Sequence, residues 1–340
     1  MFQFTDKPYL NVLIVIVGVM VIRYFGSVYF PPLENTKPKK NKKQKMKEGF
    51  QQQTEPFVLK QDQQIYDPFY AEVYDEIHLT DDRSKKEIEQ IILLSQPSQE
   101  HSYFLDTNAK TGALVNNIQN KGFHITGIDS SEAMAEFAEK KHSQISVKCL
   151  NLNDAMIFDR GTYTHVLCLD YGIYHYDSKH KLQYLKNVYH WLSPGGYLFL
   201  HLIDPKQFNT IIPVGNPLNI DSPQKYTKTR ITETVAHMPE YEYKGKYDFS
   251  NMHLTDSNLT DMHLTDMHLI DMHLIKTETF KDKQTNYIRQ NEQTLHIESK
   301  ETILSVAQQI GFLLHGQINY EKINGDSYQY MIVLERPMTI

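Results

Sequence analysis

At 340 residues, the chain is long enough for one large domain with appended segments or for two modest domains. Its 40% hydrophobic and 22% charged residues are ordinary globular values and exclude a wholly disordered chain, while a net charge of −6 gives no reason to expect nucleic-acid binding. The two cysteines, Cys149 and Cys168, both lie in apolar runs. We therefore expect buried thiols in a reducing compartment and no disulfide framework.

Residues 1–30 predict a transmembrane anchor. The segment Tyr9–Phe30 contains one charged residue, Arg23, and is long enough as a helix to cross a hydrocarbon core. Residues 31–62 follow as a basic polar linker with a run of lysines, so the positive-inside rule predicts a single-pass membrane protein whose body is cytoplasmic. A cleaved signal peptide or a buried core helix is an alternative for the apolar segment, and a nucleic-acid or nuclear-targeting patch is one for the lysines.

Residues 63–204 predict an α/β core. The tyrosines Tyr66, Tyr70 and Tyr74 share one face of a leading helix. Strands are expected at His101–Leu105, Phe123–Ile128, Ile145–Leu150, Tyr163–Leu169 and Tyr197–Leu202, and helices at Ala113–Asn120, Glu132–Lys141 and Lys179–Leu192. Alternation of this kind predicts a parallel sheet with helices on both faces.

Residues 205–300 predict an antiparallel β insertion, because polar and apolar residues alternate along it. It contains a five-residue repeat at 251–275, rich in histidine and methionine. Five residues match the period of neither a helix nor a strand, so the side chains would not converge on one ion and no metal site is expected. Residues 301–340 predict a helix and a hairpin that complete the core.

Three polar segments follow the first three core strands. Asp106 ends the first strand, and Asp129 ends the second 23 residues later, a spacing at which a carboxylate can bind both hydroxyls of a ribose. After the third strand, Asn153 and Asp154 offer acceptors for an adenine amino group. Ligands of open α/β sheets bind at these strand ends.

The segments TGIDSSEAM, NLNDA, THVLCLDYGIYHY and WLSPGGYLFL, in this order, resemble the class I S-adenosylmethionine (SAM)-dependent methyltransferases, in particular the methyltransferase domain 11/25 group. The resemblance covers about residues 66–205 and resumes at 287–337. It implies a Rossmann-like seven-stranded methyltransferase sheet. A Rossmann domain for NAD is the alternative, but it explains neither the Pro-Gly-Gly segment nor the closing hairpin.

The resemblance also implies residue roles. Around the cofactor it assigns a loop beginning at Asp106 and including Asn108, Gly112 beneath the next helix, Asp129 on the ribose, Ser130 and Met134 near the adenosine, Asn153 and Asp154 near the adenine, and Asp170 with Tyr171 facing the methyl group. It also implies that the leading helix with Tyr66, Tyr70 and Tyr74 covers the cofactor as a lid. The alternative is that these tyrosines only pack in the core. If the acceptor must lose a proton, His175 is the nearest base, unless it only packs over the sheet.

The chain departs from the family where Asn108 and Lys110 replace glycines. Lys110 could pair with the carboxylate of the methionine moiety, or it could block the pocket. Two functions therefore stay open. One is a membrane-anchored, SAM-dependent methyltransferase with an unidentified acceptor, and the other is an inactive methyltransferase-like domain that serves as a structural or interaction module.

Overall fold

The computed structural model describes residues 53–154, 157–216, 222–251 and 273–338. The helices are α1 (Pro68–His78), α2 (Thr80–Ser95), α3 (Ala113–Asn120), α4 (Glu132–Lys141), α5 (Ser178–Trp191), α6 (Lys300–Ile310) and α7 (Glu321–Asn324). The strands are β1 (Phe57–Gln61), β2 (Tyr103–Asp106), β3 (His124–Asp129), β4 (Val147–Cys149), β5 (Tyr163–Cys168), β6 (Leu192–Ile203), β7 (Glu233–His237), β8 (Tyr241–Asp248), β9 (His273–Asp282), β10 (Ile288–His296), β11 (Leu313–Tyr320) and β12 (Asp326–Glu335).

Seven strands form the main sheet in the order β11-β12-β6-β5-β2-β3-β4. The five strands from β6 to β4 are parallel, and β12 runs antiparallel between β6 and β11. The predicted Rossmann-like seven-stranded sheet is confirmed. The predicted strand Tyr197–Leu202 is too short at its start, because β6 begins at Leu192. Pro194-Gly195-Gly196 therefore lies inside β6, where it interrupts the register against β5.

Successive residues of the central strands pack on opposite faces of this sheet. In β6, Leu198 and Leu200 belong to one hydrophobic cluster, whereas Phe199 between them belongs to another. The first cluster includes Trp191 of α5, and the second includes Ile88 of α2. Side chains alternate across a strand, so these apolar runs require helices on both faces.

A second sheet has the order β1-β10-β9-β8-β7 and lies in the segment where the sequence predicts antiparallel strands, with the addition of β1. In β8, Tyr241 and Tyr243 are buried, whereas Glu242 and Lys244, which alternate with them, are exposed. This buried face packs on α1, where Phe69 meets Phe280 edge to face with ring centroids 5.2 Å apart. The predicted linker 31–62 is wrong at its end, because Phe57–Gln61 forms β1 and pairs in parallel with β10.

Several other predictions fall outside the described residues or are corrected. The predicted anchor 1–30 lies outside them, and within the described ranges no helix is long and apolar enough to cross a membrane. The repeat also lies largely outside them, although its last residues begin β9 at His273. Cys168 is buried as expected, but Cys149 is exposed at the end of the short edge strand β4, so its predicted burial is wrong.

Candidate active site

The loops after β2 and β5 are tied together at the carboxyl end of the main sheet. Asp106 is 1% exposed, and its Oδ1 accepts from the Asn108 backbone N–H at 3.1 Å. The Asn108 amide then donates to the Leu169 carbonyl oxygen at 2.8 Å. A short polar side chain therefore bridges the two loops, which is a structural reason for asparagine at a position where the resemblance predicts glycine.

Three side-chain-bearing residues at this edge have left-handed backbone. Lys110, Asp170 and Tyr171 have φ values of 50°, 51° and 60°. Asn108, the other position where glycine is expected, does not have a positive φ. Of these two positions, only Lys110 therefore adopts the left-handed backbone that favours glycine. Such conformations cost of the order of 1–3 kcal/mol each and cluster at functional sites.

The carboxylate of Asp129 ends β3 and is 4% exposed. Its two oxygens accept backbone N–H groups, Oδ1 from Ser131 at 2.9 Å and Oδ2 from Lys110 at 2.9 Å. A carboxylate has about four lone-pair sites, so each oxygen can accept one further hydrogen bond. Asp129 thus fixes the loop from β2 and still offers two acceptor sites to a ligand.

A cavity of about 500 Å³, which we call the large cavity, opens beside Asp129. Asn153 also lines it, and the Oδ1 atom of this side chain is buried without a hydrogen-bond partner among the described residues. Ser130 lines the same cavity and donates to Gln63 at 3.1 Å. An orphaned carbonyl oxygen beside a fixed carboxylate favours a ligand with several hydrogen-bond donors.

A second cavity of about 30 Å³, which we call the small cavity, is rich in carboxylates. It is lined by Glu87, Asp106 and Asp170 together with Arg83. Burial raises the pKa of Glu87 to about 7 and that of Asp106 to about 7. Burial acts on Asp170 in the same direction, but the Arg83 guanidinium 2.7 Å from its Oδ1 and the Tyr74 hydroxyl hold the pKa of that carboxyl well below its usual range.

A third cavity of about 120 Å³, which we call the aromatic cavity, lies against α1 and the second sheet. Its lining includes five tyrosines: Tyr66, Tyr70, Tyr74, Tyr171 and Tyr247. Tyr66 and His175 line both this cavity and the large one. The leading tyrosines are over nine-tenths buried, so they pack in the core and line the cavity at once.

His175 lies between the large and aromatic cavities, but its environment does not suit the predicted base. The Gln293 amide nitrogen lies 2.9 Å from its Nδ1 and 2.5 Å from the Tyr66 hydroxyl. Burial, followed by the nearby Lys110 ammonium, lowers the pKa of His175 well below its usual range. A neutral ring whose Nδ1 accepts from Gln293 carries its proton on Nε2 and offers a donor there.

The predicted site residues divide into two groups. Those that line a cavity are Asp106, Asn108, Asp129, Ser130, Asn153, Asp170, Tyr171 and His175. Gly112, Met134 and Asp154 do not line any of the three cavities.

Each of these three has a different role. A Cβ on Gly112 (φ 76°) would lie 2.5 Å from Ile145 Cδ1, so this glycine permits packing of α3 against the neighbouring segment. Met134 is fully buried in the core behind the Ser131 cap of α4. The Asp154 carboxylate is exposed and accepts from Asn151 at 3.2 Å, which leaves Asn153 as the neighbour that faces the cavity.

Arg83 and Glu87 of α2 line the small cavity but are not among the site residues predicted from the sequence. The two side chains lie one turn apart, with Arg83 Nε 3.7 Å from Glu87 Oε1. Two aspartates in the first turn and isoleucines at 88 and 91 are signals that could have found this helix. Within the described part of the chain, no group of three or more His, Cys, Asp or Glu side chains could hold a metal ion.

Part of the chain is similar in sequence to known methyltransferases. A family model described as "Methyltransferase domain" matches residues 104–196. A curated Bacillus subtilis (strain 168) protein named "Putative methyltransferase YqeM" is 31% identical over 154 residues, which are 44% of this chain and 60% of that protein. The chain therefore spans about three fifths of the length of this curated relative.

Solved structures share the fold at low sequence identity. A SAM-dependent methyltransferase from Clostridium acetobutylicum superposes with a TM-score of 0.55 at 14% identity, covering 79% of this chain and 98% of that one. The CcbJ methyltransferase from Streptomyces caelestis gives 0.56 at 13% identity, covering 80% and 98%. SAM-bound CalS10, an amino pentose methyltransferase from Micromonospora echinaspora, gives 0.52 at 15% identity, covering 78% and 96%.

Proposed function

We propose that this chain, whose residues 104–196 form a class I methyltransferase domain, binds SAM in the large cavity and methylates an acceptor in the aromatic cavity. The observation that carries the proposal is the pairing of Asp129 with the unpartnered Oδ1 of Asn153 in one cavity at the carboxyl end of the sheet. Ligands of open α/β folds bind at this edge.

The donor set of the large cavity fits the adenosine part of SAM. Two free acceptor sites on Asp129 match the two hydroxyls of a ribose, and the Asn153 Oδ1 matches an exocyclic amino group. The Asp129 oxygens already accept the backbone N–H groups of Ser131 and Lys110, so this carboxylate is held in place. SAM supplies an electrophilic methyl group on a sulfonium, so the protein has to position the acceptor and exclude water.

The residues around the aromatic cavity favour an acceptor that needs no protein base, such as an amine that enters the cavity in its neutral form, having left its proton in the solvent. Burial lowers the pKa of His78 and of His201 to about 3, and His175 is also held neutral. The ionised carboxylate of Asp170 is committed to Arg83 and Tyr74. A neutral amine attacks with its own lone pair and needs no strong base beforehand, unlike an alcohol.

The test is titration of SAM, and of its product S-adenosylhomocysteine, into the full chain purified in detergent. Saturable binding of both ligands at one site, with mutual competition, is the expected result. Tritium transfer from methyl-labelled SAM to a panel of amines and alcohols would then identify the acceptor class. No binding of either ligand would reject the enzymatic function and favour the inactive, structural alternative.

We further propose that Tyr9–Phe30 anchors the protein in a membrane with the rest of the chain in the cytoplasm. The support is the apolar length of this segment and the lysines of residues 37–47 on one side of it. The full chain should resist alkaline carbonate extraction, and protease added to intact vesicles should digest its body. A variant with glutamine in place of the lysines of residues 37–47 tests whether these charges set the orientation. If the body of the parent chain is protected from the added protease, the proposed topology is refuted.

A further inference from the structure

Lys110 occupies the junction of the three cavities. Among the residues that line them, it is the only one shared by the large, small and aromatic cavities. The residue is 8% exposed, and its Nζ lies 4.0 Å from the centroid of the Tyr66 ring. Its side chain therefore points from a strained loop into the region where a ligand in the large cavity would extend toward the other two.

This buried ammonium has no carboxylate partner in the part of the chain that the structure describes. The other two cations of the aromatic cavity each have one: Arg83 Nη1 lies 2.7 Å from Asp170, and Lys276 Nζ lies 3.0 Å from Glu278. Against Lys110 there is the face of a tyrosine instead, with no carboxylate oxygen of a described residue within 4.0 Å of its Nζ. A buried charge without a counter-ion is costly, so the site favours an anion supplied by a ligand.

Lys110 also remains charged in this position. Burial acts to lower the pKa of Lys110, but the Tyr66 phenol and the carboxylates of Asp129 and Asp170 outweigh it, so the pKa is raised above its usual value. The carboxylates influence the ammonium from a distance and are engaged elsewhere, Asp129 with backbone N–H groups and Asp170 with Arg83. The cation is therefore available to a ligand.

We infer that the Lys110 ammonium binds the α-carboxylate of SAM, the one anionic group of that molecule. This rests on the proposed function, because it presumes that the adenosine part lies beside Asp129 and Asn153. From there the amino-acid part has to extend toward Lys110 and the small cavity, where Glu87 and Asp106 offer carboxyl groups for the α-ammonium. A lysine and two carboxyl groups thus recognise the two ends of a zwitterion.

The same placement accounts for a lysine at a glycine position of the family. Glycine there allows the backbone itself to approach the ligand. Lysine reaches its ligand with a flexible four-carbon stem, and its contact with the Tyr66 ring can be retained while the ammonium binds an anion. On this account Lys110 is a binding residue that makes affinity depend on the carboxylate, and it is not an obstruction.

The experiment compares a ligand that carries the carboxylate with one that lacks only this group and one that lacks the whole amino-acid part. Binding of S-adenosylhomocysteine, its decarboxylated analogue and 5′-methylthioadenosine is measured by calorimetry on the full chain in detergent. The variants are Lys110→Met, which keeps length without charge, Lys110→Arg, which keeps charge, and Lys110→Gly. Lys121→Met, at an exposed lysine outside the three cavities, is the matched control, and thermal unfolding verifies that each variant folds.

Lys110→Met should weaken S-adenosylhomocysteine binding at least tenfold, while its affinity for the decarboxylated analogue changes less than twofold. Lys110→Arg should retain most of the affinity, and Lys121→Met all of it. Equal losses for both ligands would overturn the inference and give Lys110 a role in the loop only. Tighter binding by Lys110→Gly than by the parent would overturn it in favour of obstruction.

The failure of the proposed function has a different signature. If the parent and Lys110→Gly bind none of the three adenosyl ligands, the large cavity is not a SAM site, and the inference falls with the proposed function. If the parent binds 5′-methylthioadenosine as tightly as S-adenosylhomocysteine, the adenosine site stands and only the role of Lys110 is refuted.

Discussion

Asp129→Ala is expected to weaken binding of S-adenosylhomocysteine at least tenfold. Hydrogen bonds to charged groups contribute roughly 1.5–3 kcal/mol each, and Asp129 has two acceptor sites free for ribose hydroxyls. Loss of one such bond already exceeds the ~1.4 kcal/mol that corresponds to a decade in Kd. Loss of both would approach or exceed a hundredfold, within the range that calorimetry resolves.

The same carboxylate also holds the backbone N–H groups of Lys110 and Ser131, so the variant has a second effect. Leaving two buried donors unpaired costs about 1–3 kcal/mol each, which should lower the free energy of unfolding of the ligand-free protein. Urea unfolding of the parent and the variant separates this effect from binding. It also shows whether the variant is folded at the temperature of the titration.

A ligand that lacks one ribose hydroxyl isolates the direct contact. The 2′-deoxy analogue of S-adenosylhomocysteine should bind the parent more weakly than the full ligand does, and Asp129→Ala should weaken its binding by a smaller factor. If Asp129→Ala weakens both ligands by the same factor, the carboxylate acts through the loop and the assignment to the ribose is refuted.

Three further predictions follow from the same geometry. Asn153→Ala should weaken S-adenosylhomocysteine binding roughly fivefold, as expected for loss of a hydrogen bond of about 1 kcal/mol. Asp154→Ala is the control and should leave Kd within twofold. Equal effects of the two substitutions would contradict the assignment of Asn153 to the cavity. Gly112→Ala should lower the free energy of unfolding, measured in urea, by roughly 2–4 kcal/mol. The new Cβ would lie 2.5 Å from Ile145, and alanine would have to adopt left-handed backbone. An unchanged midpoint of urea unfolding would contradict this packing. The folded pKa of Asp106, about 7, exceeds its ordinary value of 3.8, so the parent loses stability as pH rises between them. Asp106→Asn should therefore gain stability relative to the parent as pH rises from 5 to 8, by at most about 3 kcal/mol, and a pH-independent difference would show that this carboxyl does not titrate there.

The sequence predicts the main sheet well because its signals are local. Strands β2, β5 and β6 contain apolar runs that lead to Asp106, Asp170 and Asp204. The caps of α4 and α5 lie within three residues of the backbone groups they bind. The β1 strand had no such signal. It is the five-residue segment FVLKQ, whose Phe57 and Leu59 are exposed, and it pairs with β10 more than 200 residues away along the chain. Only the folded partner makes it a strand.

The site was predicted in part for the same reason. Asp129 follows from its position at a strand end, which the topology brings to the edge of the sheet. The choice between Asn153 and Asp154 depends on a single peptide in an irregular loop, and no periodicity orients that loop. The bond between Gln293 and His175 joins the second sheet to the loop after β5, so it could not be read from either segment alone.

The pairing of β8 with β9 allows the number of five-residue repeat units to change without disturbing the sheet. Asp248 and Ile275 are direct neighbours in this pair, so the chain leaves the sheet and returns to it at one point. Roughly 25 residues separate these two positions along the chain, so inserting one five-residue unit between them raises the entropic cost of bringing them together by only about 0.2 kcal/mol. Replication slippage in the coding sequence can therefore lengthen or shorten the tract while the strands keep their register. We expect the number of units to vary between individuals of one population at little cost to folding.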